Sequence, residues 1–439
     1  SLNTSSASSY CITVGCDWRE ELARIKKKGL VVGICDEIFS TDNFFFEIFD
    51  HVLWVSPSGE TCKSREAKAR LEDQLLSLGV RKDTLLIAVG GGSVGDLVGF
   101  VAATLLRGIS FVQVPTTLLA MVDSSVGGKT AINHPKGKNL IGAFHQPLAV
   151  FIDLQFLKTL PPRALACGMA EVIKGAIAGD RDLWTLLQDD CDLQTLITRD
   201  VNARDCDLQT VITRAVQYKA RVVMADEKDQ GIRNELNFGH TIGHALEAVS
   251  SEYEHGECVA IGIVYELQCL VAIGHLKNEA LISIAQGILS KFNLPTRMPR
   301  DIDLAEFRSK LLADKKNGLS SESCSIVAVE DVGRSVGKNR TVQVSLDTVI
   351  RIVAPYVEVG HCLGMNCIDI VPVDCVLPGS KSVANRVLLL SAISKNPTVL
   401  HNVPVSVDVN IMVQAVEVLG LATLTQKNTP NGRTISVVP

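Results

Sequence analysis

Three of the nine histidines lie close together in the sequence, at His240, His244 and His255. The HTIGH motif separates the first two by four residues, so on a helix both imidazoles share a face and can bind one metal ion. A packed or capped pair of helix histidines is the alternative. The third histidine sits in an HGE turn that opens another helix. Two histidines with a carboxylate would leave an open zinc position for a substrate.

Glu171 is the best candidate for that carboxylate. It lies in GMAEVIKG, a helix-like run whose neighbouring residues are otherwise apolar. Such a glutamate is either exposed on a polar stripe or buried with a partner, and a metal ion would be such a partner.

A glycine cluster, AVGGGSVGD, runs from Ala88 to Asp96 and satisfies G-x-G-x-x-G at Gly90, Gly92 and Gly95. It follows a strand-like run and precedes a helix-like run, the context in which backbone amides face a pyrophosphate. The acidic residue that usually binds the ribose is missing from the following FVQVPTT. The sequence therefore leaves two readings open, an unusual dinucleotide site and a tight structural turn.

Cationic and amide side chains cluster beside glycines and beside the histidines, a pattern that favours a small, strongly anionic substrate over solvated surface charge. These residues are Lys129, Lys138, Asn139, Lys174, Lys219, Arg233, Asn237 and Lys315.

The elements that must position these residues change character near Pro161 and Pro162. Before that point, strand-like and helix-like runs alternate, which predicts a parallel sheet with crossover helices. The predicted strands are 29–35, 51–57, 83–89 and 111–115, with a helix over 64–79. After it come predicted helices over 164–178, 206–225, 240–250, 257–274, 278–292 and 304–313, and two strands within 325–355.

We therefore expect an α/β domain with a parallel sheet and a mainly α-helical domain. The family resemblance described below implies that the first is a Rossmann-like, NAD-binding domain and the second a metal-binding domain, followed by a partial α+β unit. The predicted boundaries are 1–161, 162–357, a linker over 358–367, and 368–439. One repeat, DCDLQTLITR at 190–199 and DCDLQTVITR at 205–214, is read as a local duplication that lengthens a surface helix.

Composition narrows the class of protein. With 43 Lys plus Arg against 48 Asp plus Glu, the net charge of −5 argues against nucleic-acid binding. The sequence has no uncharged apolar run of 18 residues, which argues against a membrane span. The 13 scattered cysteines predict reduced thiols and a cytoplasmic protein. A Ser-rich start without Met predicts a trimmed or partial gene product.

Several long motifs, in order and approximate spacing over about residues 20–357, resemble the 3-dehydroquinate synthase family, and most of all the domain that opens the pentafunctional arom polypeptide. They are GGGSVGDLVGFVAATLLRG, VPTTLLAMVDSSVGGKTAIN, GKNLIGAFHQP, LPPRALACGMAEVIK, RNELNFGHTIGHALE and HGECVAIG.

The resemblance implies roles for individual residues. Glu171, His240 and His255 would be the zinc ligands. His244 would be the catalytic acid/base, and Asp229 stands where arom-type members usually carry a catalytic Glu. The remaining implied substrate residues are Arg107, Asp123, Lys129, Lys174, Lys219, Arg233, Asn237 and Lys315. Of these, Lys129, Arg233 and Asn237 would also take part in catalysis. Arg107 would reach the site of a neighbouring subunit.

The resemblance also implies NAD contacts. These are Asp36, Glu60, Lys63, Gly91, Gly92, Ser93, Asp96, Thr116, Thr117, Asp123, Lys138, Asn139, Phe156 and Thr159. Cys167 replaces a usual Asn, which would remove one such contact. The family reaction converts a seven-carbon keto-sugar acid phosphate to 3-dehydroquinate and phosphate, with NAD recycled, and the family's use of a neighbouring subunit implies a homodimer.

The C-terminal stretch VLPGSKSVANRVLLLSAISKNPTVLHNVP (376–404) resembles the start of 5-enolpyruvylshikimate-3-phosphate synthase. Lys381, Ser382 and Arg386 fall on that family's substrate-anion positions, whereas Val407 departs from its acidic pair. That enzyme needs two large lobes, so a piece of about 70 residues is expected to be inactive alone.

Three alternatives remain open at the level of sequence. A sister sugar-phosphate cyclase would share the fold and cofactors but close a different ring. A metal-dependent polyol dehydrogenase of the related two-domain fold would release NADH. A non-catalytic remnant used for association would bind neither NAD nor zinc.

Overall fold

The described part of this computed structural model divides into two units, Ser1–Glu358 and Val359–Pro439. The structure describes residues 2–3, 9–25, 29–42, 44–188, 208–313, 322–361, 373–376, 381–393, 398–419, 421–429 and 432–438. Most of the predicted 190–214 duplication lies outside these residues.

The first unit contains a sheet whose central strands are apolar and buried, together with shorter strands outside that sheet. Its strands are β1 (Leu2–Asn3), β2 (Ser9–Val14), β3 (Val31–Asp36), β4 (His51–Val55), β5 (Leu85–Gly90), β6 (Ser110–Pro115), β7 (Lys129–His134), β8 (Gly137–Phe144), β9 (Ala149–Ile152), β10 (Ser323–Val327), β11 (Val329–Asp331), β12 (Arg334–Ser335) and β13 (Thr341–Ser345).

Seven of these strands form one sheet in the order β1-β2-β9-β6-β5-β3-β4. The six from β2 to β4 are parallel, and β1 joins the edge antiparallel. Every residue of β3 and β5 is buried, as expected for parallel strands that are covered on both faces. The Rossmann-like α/β prediction is therefore confirmed.

The helices of the first unit cover this sheet and then form a separate helical layer. They are α1 (Trp18–Ile25), α2 (Phe45–Ile48), α3 (Arg65–Ser77), α4 (Gly92–Thr104), α5 (Pro162–Gly179), α6 (Arg181–Gln188), α7 (Leu208–Ala225), α8 (His240–Val249), α9 (His255–Ala272), α10 (Ala280–Lys291), α11 (Leu304–Ala313) and α12 (Leu346–His361). The mainly helical part that the sequence predicts after residue 161 is thus present, while the boundary itself stays a prediction.

Helices α8 and α9 approach each other unusually closely. A Cβ atom on Gly262 would lie 1.9 Å from the backbone oxygen of Gly239, and one on Gly243 would lie 2.9 Å from the oxygen of Cys258. Only glycine fits at such contacts, so these positions bring the two histidine-bearing helices together. Helix α9 is long and apolar enough to cross a membrane by composition, but most of it is buried against other helices.

The stretch 325–355, predicted to contain two strands, has its strands before residue 346 and is helical from Leu346 onward, as part of α12. Its buried residues Leu346, Val349 and Val353 recur at helical spacing and pack into the core. The β-branched residues of this run resemble those of a strand, so the helix period was the better signal.

The second unit is a small α+β arrangement. Its elements are β14 (Val373–Val376), α13 (Lys381–Ile393), β15 (Thr398–Val403), α14 (Val407–Val418), β16 (Thr423–Thr429) and β17 (Gly432–Val438). The strand order is β14-β15-β17-β16, with β14 and β15 parallel and the other pairs antiparallel. Residues of both helices and of β15 and β17 form its core.

Candidate active site

Three histidine side chains meet where α8 and α9 begin. His240 is the first residue of α8, His244 follows one turn later, and His255 is the first residue of α9. A capping box of Glu254 and Glu257 fixes the start of α9. One ring nitrogen from each histidine lies within 4.8 Å of the others, close enough for a shared metal ion.

Glu171 faces this cluster from the middle of α5. Its Oε1 lies 3.5 Å from Nε2 of His240 and 3.6 Å from Nε2 of His255. Both carboxylate oxygens are buried, and among the described residues neither accepts a hydrogen bond, although Lys174 forms an ion pair with Oε2. Buried oxygens left without hydrogen bonds beside two imidazoles are the donor set that a divalent metal would satisfy.

The charges of this cluster depend on its burial. Burial opposes ionisation of Glu171, but the positive charge of Lys174 and the histidines hold its pKa well below its usual range. Burial and Lys174 lower the pKa of His240 well below its ordinary value. Burial also disfavours the charged form of His255, yet Glu171 and Glu247 outweigh it and raise the pKa to about 10. His255 would therefore lose a proton when it binds a metal.

Glu247 connects the histidine cluster to the sheet-containing part of the first unit. Its Oε2 lies 3.0 Å from Nδ1 of His255, and its Oε1 accepts a hydrogen bond from Nζ of Lys138 in β8. Carboxylates in this position fix the tautomer and orientation of a ligating histidine. The sequence prediction did not include Glu247, although its place three residues after His244 puts it on the same helix face.

Glu266 supplies the missing cap of α8. The residue before α8, Gly239, has a positive φ of 79° and no capping side chain. Glu266, fully buried in α9, instead accepts from the backbone amides of Gly239 at 2.9 Å, Thr241 at 3.0 Å and Ile242 at 3.3 Å. A carboxylate at this end satisfies the free amides and the helix dipole, which holds His240 in place.

A cluster of buried cations, Lys174, Lys219 and Arg233, lies next to the carboxylate of Glu171. Lys219, on α7, donates to Oδ1 of Asp123 at 2.5 Å. Burial opposes ionisation of Asp123, but Lys219 and Lys174 outweigh it and lower its pKa. Burial lowers the pKa of Lys219 to about 8, although Asp123 opposes that shift. The ammonium group of Lys219 is therefore near its titration point at neutral to mildly basic pH.

Lys129 and Asp229 form an ion pair between β7 and the loop after α7, with 2.5 Å between Nζ and Oδ2. Asp229 has a left-handed backbone with φ of 58°, and its buried Oδ1 accepts no hydrogen bond within the described part of the chain. An aspartate in this conformation places its carboxylate beside the lysine although its side chain is short.

Arg233 is buried in the 3₁₀ segment Ile232–Asn237 and is held by backbone carbonyls. Its Nη1 donates to the oxygen of Glu227 at 2.9 Å, and its guanidinium lies against Gly127, where a Cβ would clash. Asn237 ends the same segment, half-buried, three residues before the start of α8.

One predicted substrate residue is not brought to the cluster. Arg107 lies in an exposed turn with φ of 63°, and across the described ranges no hydrogen bond or ion pair joins it to the cluster. Lys315 lies outside the described residues.

The glycine turn joins β5 to α4 at the carboxyl end of the parallel sheet. Gly91 caps α4, and Gly92 begins it so close to Ser124 that a Cβ would lie 2.6 Å from the serine oxygen. Amides at such a helix start can bind a phosphate anion. The strand order reverses here, because the chain runs from β3 to β4 on one side and from β5 to β6 on the other. The turn also has the strand–glycine–helix context that the dinucleotide reading requires.

A buried lysine lies beside this turn. Nζ of Lys63 donates to Oδ2 of Asp96 at 2.7 Å and to Oδ1 of Asn139. Burial raises the pKa of Asp96 to about 6, and Lys63 opposes the shift. Glu60 accepts from Ser93 and from Asn133, both at 2.8 Å. Lys63, Asp96, Asn139, Glu60 and Ser93 are thus brought together as predicted cofactor residues.

The remaining predicted cofactor residues surround the carboxyl ends of neighbouring strands. Asp36 ends β3 and accepts from Ile38 N at 3.2 Å. Thr116 follows β6 and donates its amide to Gly90 at 3.0 Å, and a Cβ on Gly91 would lie 3.3 Å from Thr117. Phe156 and Thr159 lie after β9, where Phe156 contacts the ring of Phe39. Cys167 is buried in α5, and burial raises its thiol pKa to about 11.

Two consecutive family models match the first unit. The model for the N-terminal part of 3-dehydroquinate synthase matches residues 53–167, and the model for its C-terminal part matches residues 168–317. Together they span more than half of the chain's 439 residues. The chain belongs to the 3-dehydroquinate synthase family. A third model, for EPSP synthase (3-phosphoshikimate 1-carboxyvinyltransferase), matches residues 372–436 in the second unit.

A curated relative extends this assignment. The chain is 43% identical over 407 residues to a pentafunctional AROM polypeptide of Schizosaccharomyces japonicus, a match that covers 87% of this chain. It covers only 25% of that polypeptide, so the chain spans about a quarter of its relative's length.

Solved structures share the 3-dehydroquinate synthase fold of the first unit. A 2-deoxy-scyllo-inosose synthase, solved with carbaglucose-6-phosphate, NAD⁺ and Co²⁺, has a TM-score of 0.67 at 23% identity over 81% of this chain and 98% of its own. The 2-epi-5-epi-valiolone synthase ValA of Streptomyces hygroscopicus, with NAD⁺ and Zn²⁺, has a TM-score of 0.68 at 23% identity over 81% and 99%. A glycerol dehydrogenase of Schizosaccharomyces pombe reaches 0.51 at 17% identity over 82% and 93%.

Proposed function

We propose that the first unit is a 3-dehydroquinate synthase. It converts 3-deoxy-D-arabino-heptulosonate 7-phosphate to 3-dehydroquinate and phosphate in the shikimate pathway, as a carbon–oxygen lyase. The observation that carries this proposal is the meeting of Glu171 and three histidines with buried lysines, in one unit that also holds a glycine turn. Membership of the family and the AROM relative support it.

Glu171, His240 and His255 would hold the metal, because the carboxylate oxygens of Glu171 are buried without hydrogen-bond donors beside both ring nitrogens. A bound zinc ion supplies Lewis acidity, which lowers the pKa of a coordinated hydroxyl. A set of three histidines is the alternative that the distances also allow. We assign His244 to proton transfer instead, since Glu171 completes a two-histidine, one-carboxylate set in which His244 is not needed as a ligand.

NAD, when bound, supplies the hydride acceptor that makes the substrate's C–H bond acidic after oxidation. The glycine turn and the residues around Lys63 would hold it. Neighbours of the same fold that were solved with NAD⁺ and either Co²⁺ or Zn²⁺ support this pair of cofactors.

The lysines and Arg233 bind and orient the substrate. The side chains of Lys219, Lys174 and Arg233 are buried, so each can form charge-assisted hydrogen bonds to a carboxylate or phosphate with little competition from water. Much of the rate gain can come from holding an anionic, flexible sugar phosphate in one conformation.

His244 and Asp229 would exchange protons with the substrate. A histidine titrates near neutral pH and can give or take a proton at its ring nitrogen. Lys129 pairs with the Asp229 carboxylate and holds it in one orientation. Bound phosphate is a second proton carrier in this scheme.

Three further parts of the proposal concern the whole protein. We propose a cytoplasmic homodimer in which the exposed Arg107 reaches the partner's site, with neither nucleic acid nor membrane as a partner. The second unit is proposed to be inactive alone as an EPSP synthase, because it matches only part of a two-lobed enzyme. The boundaries at 161, 357 and 367 remain proposals.

The substrate proposal is tested with a panel. Purified chain with catalytic NAD⁺ and zinc is offered the seven-carbon acid phosphate or glucose 6-phosphate, which lacks the carboxylate, and phosphate release is measured with and without chelator. We expect chelator-sensitive release from the first substrate alone. Release from glucose 6-phosphate would favour a sister sugar-phosphate cyclase instead.

A further inference from the structure

The carboxylate of Glu235 is buried at the centre of the segment that carries Arg233 and Asn237. It is only 7% exposed, although the same segment carries the buried guanidinium of Arg233. The hydroxyl of Tyr218 donates to Oε1 at 2.9 Å, the hydroxyl of Ser335 donates to Oε2, and Nε of Arg340 lies 3.3 Å from Oε2. Glu235 therefore binds groups from three places in the chain.

Helix α5 leaves room for this network. A Cβ on Gly179, at the end of α5, would lie 2.7 Å from Oε1 of Glu235 and 2.1 Å from the ring of Tyr218. The hairpin of β11 and β12 rests on the same helix, since the amide of Gly333 donates to the oxygen of Ile177 at 2.8 Å. The network thus packs against the helix that also carries the predicted metal ligand.

Glu235 is linked to two of the buried cations, Arg233 and Lys219. Arg233 precedes it by two residues and is oriented by backbone oxygens, so any rotation of the segment moves its guanidinium. Tyr218 directly precedes Lys219, whose ammonium binds Asp123. One carboxylate therefore fixes the register of the 3₁₀ segment against α7, the two elements that supply these cations.

An apolar side chain would pack at this site without the desolvation cost of a carboxylate. A carboxylate with three directed partners also orients the segment, because its hydrogen bonds fix both the distance and the rotation of the segment relative to its neighbours. We propose that Glu235 is a positioning residue for substrate binding, holding Arg233 and Asn237 at the geometry that the anionic substrate requires. This inference rests on the proposed function.

Steady-state kinetics of Glu235→Gln test the proposal. Glutamine keeps the shape and can still accept from Tyr218, but its amide NH₂ would face Ser335 and Arg340. We expect KM for the seven-carbon substrate to rise about tenfold while kcat changes less than about threefold. Partial unfolding would lower the active fraction and so the apparent kcat, but it would not move KM. A rise in KM without a matching fall in kcat therefore distinguishes a positioning role from a loss of stability.

The matched control is Glu330→Gln on the same hairpin. Its exposed ion pair with Arg334 does not touch Glu235, so KM should stay at the parent value. If Glu235→Gln does not fold, the Tyr218→Phe variant tests the positioning role instead. It removes one hydrogen bond to Glu235 and should raise KM about threefold. An unchanged KM in the folded Gln variant, or in the Phe variant where only that folds, overturns the proposal. If the parent chain itself releases no phosphate, the proposed function fails instead.

Discussion

Single residues account for most of the chemistry proposed at this site, and their environments differ from what their types alone indicate. Glu171 is a buried carboxylate whose oxygens lie beside two imidazoles, so its ionised form is favoured although it is desolvated. Lys219 is an amine whose burial lowers its pKa towards neutrality. Such shifted groups are typical of functional sites, because burial and charge partners act together there.

Glu247→Gln is expected to weaken zinc binding about 10- to 100-fold. The glutamate lies 3.0 Å from Nδ1 of His255 and thereby fixes which ring nitrogen faces Glu171. Competition with a chromogenic chelator measures the affinity, and Glu252→Gln, at an exposed position nearby, serves as the control. Equal zinc affinity in both variants would show that His255 needs no such orientation.

Asp229→Asn is expected to lower kcat by about 100-fold or more, because it removes a carboxylate that is proposed to exchange a proton. The variant keeps the shape of the side chain beside Lys129. Pre-steady-state and steady-state phosphate release give the rate of the affected step. If kcat is unchanged, Asp229 has no acid/base role.

The pH dependence of kcat/KM should contain a step from Lys219. Its pKa of about 8 lies below the ordinary value for lysine, so the ammonium form dominates below that pH and is lost above it. Since the ammonium binds an anion, kcat/KM should fall as the pH rises through about 8. The Lys219→Met variant should have a low kcat/KM without this step. The same step in that variant would assign the titration to another group.

Secondary-structure elements place these residues by close backbone contacts that no local pattern reveals. Helix α8 begins without a cap of its own and is completed by Glu266 from α9. The glycines between the two helices let His240 and His255 come within reach of the same carboxylate. The precision of the site therefore depends on the packing of α8 on α9.

Alanine substitutions at two helical glycines distinguish the effect of close helix packing from the effect of helix propensity. Gly262→Ala is expected to destabilise the protein by at least about 2 kcal/mol, because its Cβ would lie 1.9 Å from a backbone oxygen. Gly287→Ala, in α10 with no atom near its Cβ, should stabilise it by about 0.5–1 kcal/mol. Urea unfolding of the metal-free protein measures both. Equal effects would contradict the close approach of α8 and α9.

At the scale of the whole molecule, the sequence predicts the architecture well where periodicity is strong. The alternation of apolar runs and helices before residue 161 predicts the parallel sheet, and HTIGH correctly places two histidines on one helix face. The β-rich stretch 325–355 predicts two strands, but from Leu346 onward it is helical, because its β-branched residues obscure the helix period.

Parts of the site that depend on distant residues could not be predicted from the sequence. Glu235 binds Ser335, which is 100 residues away, and Glu266 caps a helix that begins 26 residues earlier in the chain. Neither has a local signal beyond being a charged residue near apolar ones. Glu247 had such a signal in its spacing from His244, and helical periodicity could have identified it.

The cofactor stoichiometry of phosphate release tests the central claim most directly. The chain is mixed with excess 3-deoxy-D-arabino-heptulosonate 7-phosphate, zinc and an amount of NAD⁺ equal to the enzyme, and phosphate and absorbance at NADH wavelengths are followed together. A 3-dehydroquinate synthase returns the hydride in each cycle, so we expect many phosphates per NAD⁺ and no accumulation of NADH. Growth of NADH in proportion to substrate consumed, without phosphate release, would instead indicate a polyol dehydrogenase and contradict the account.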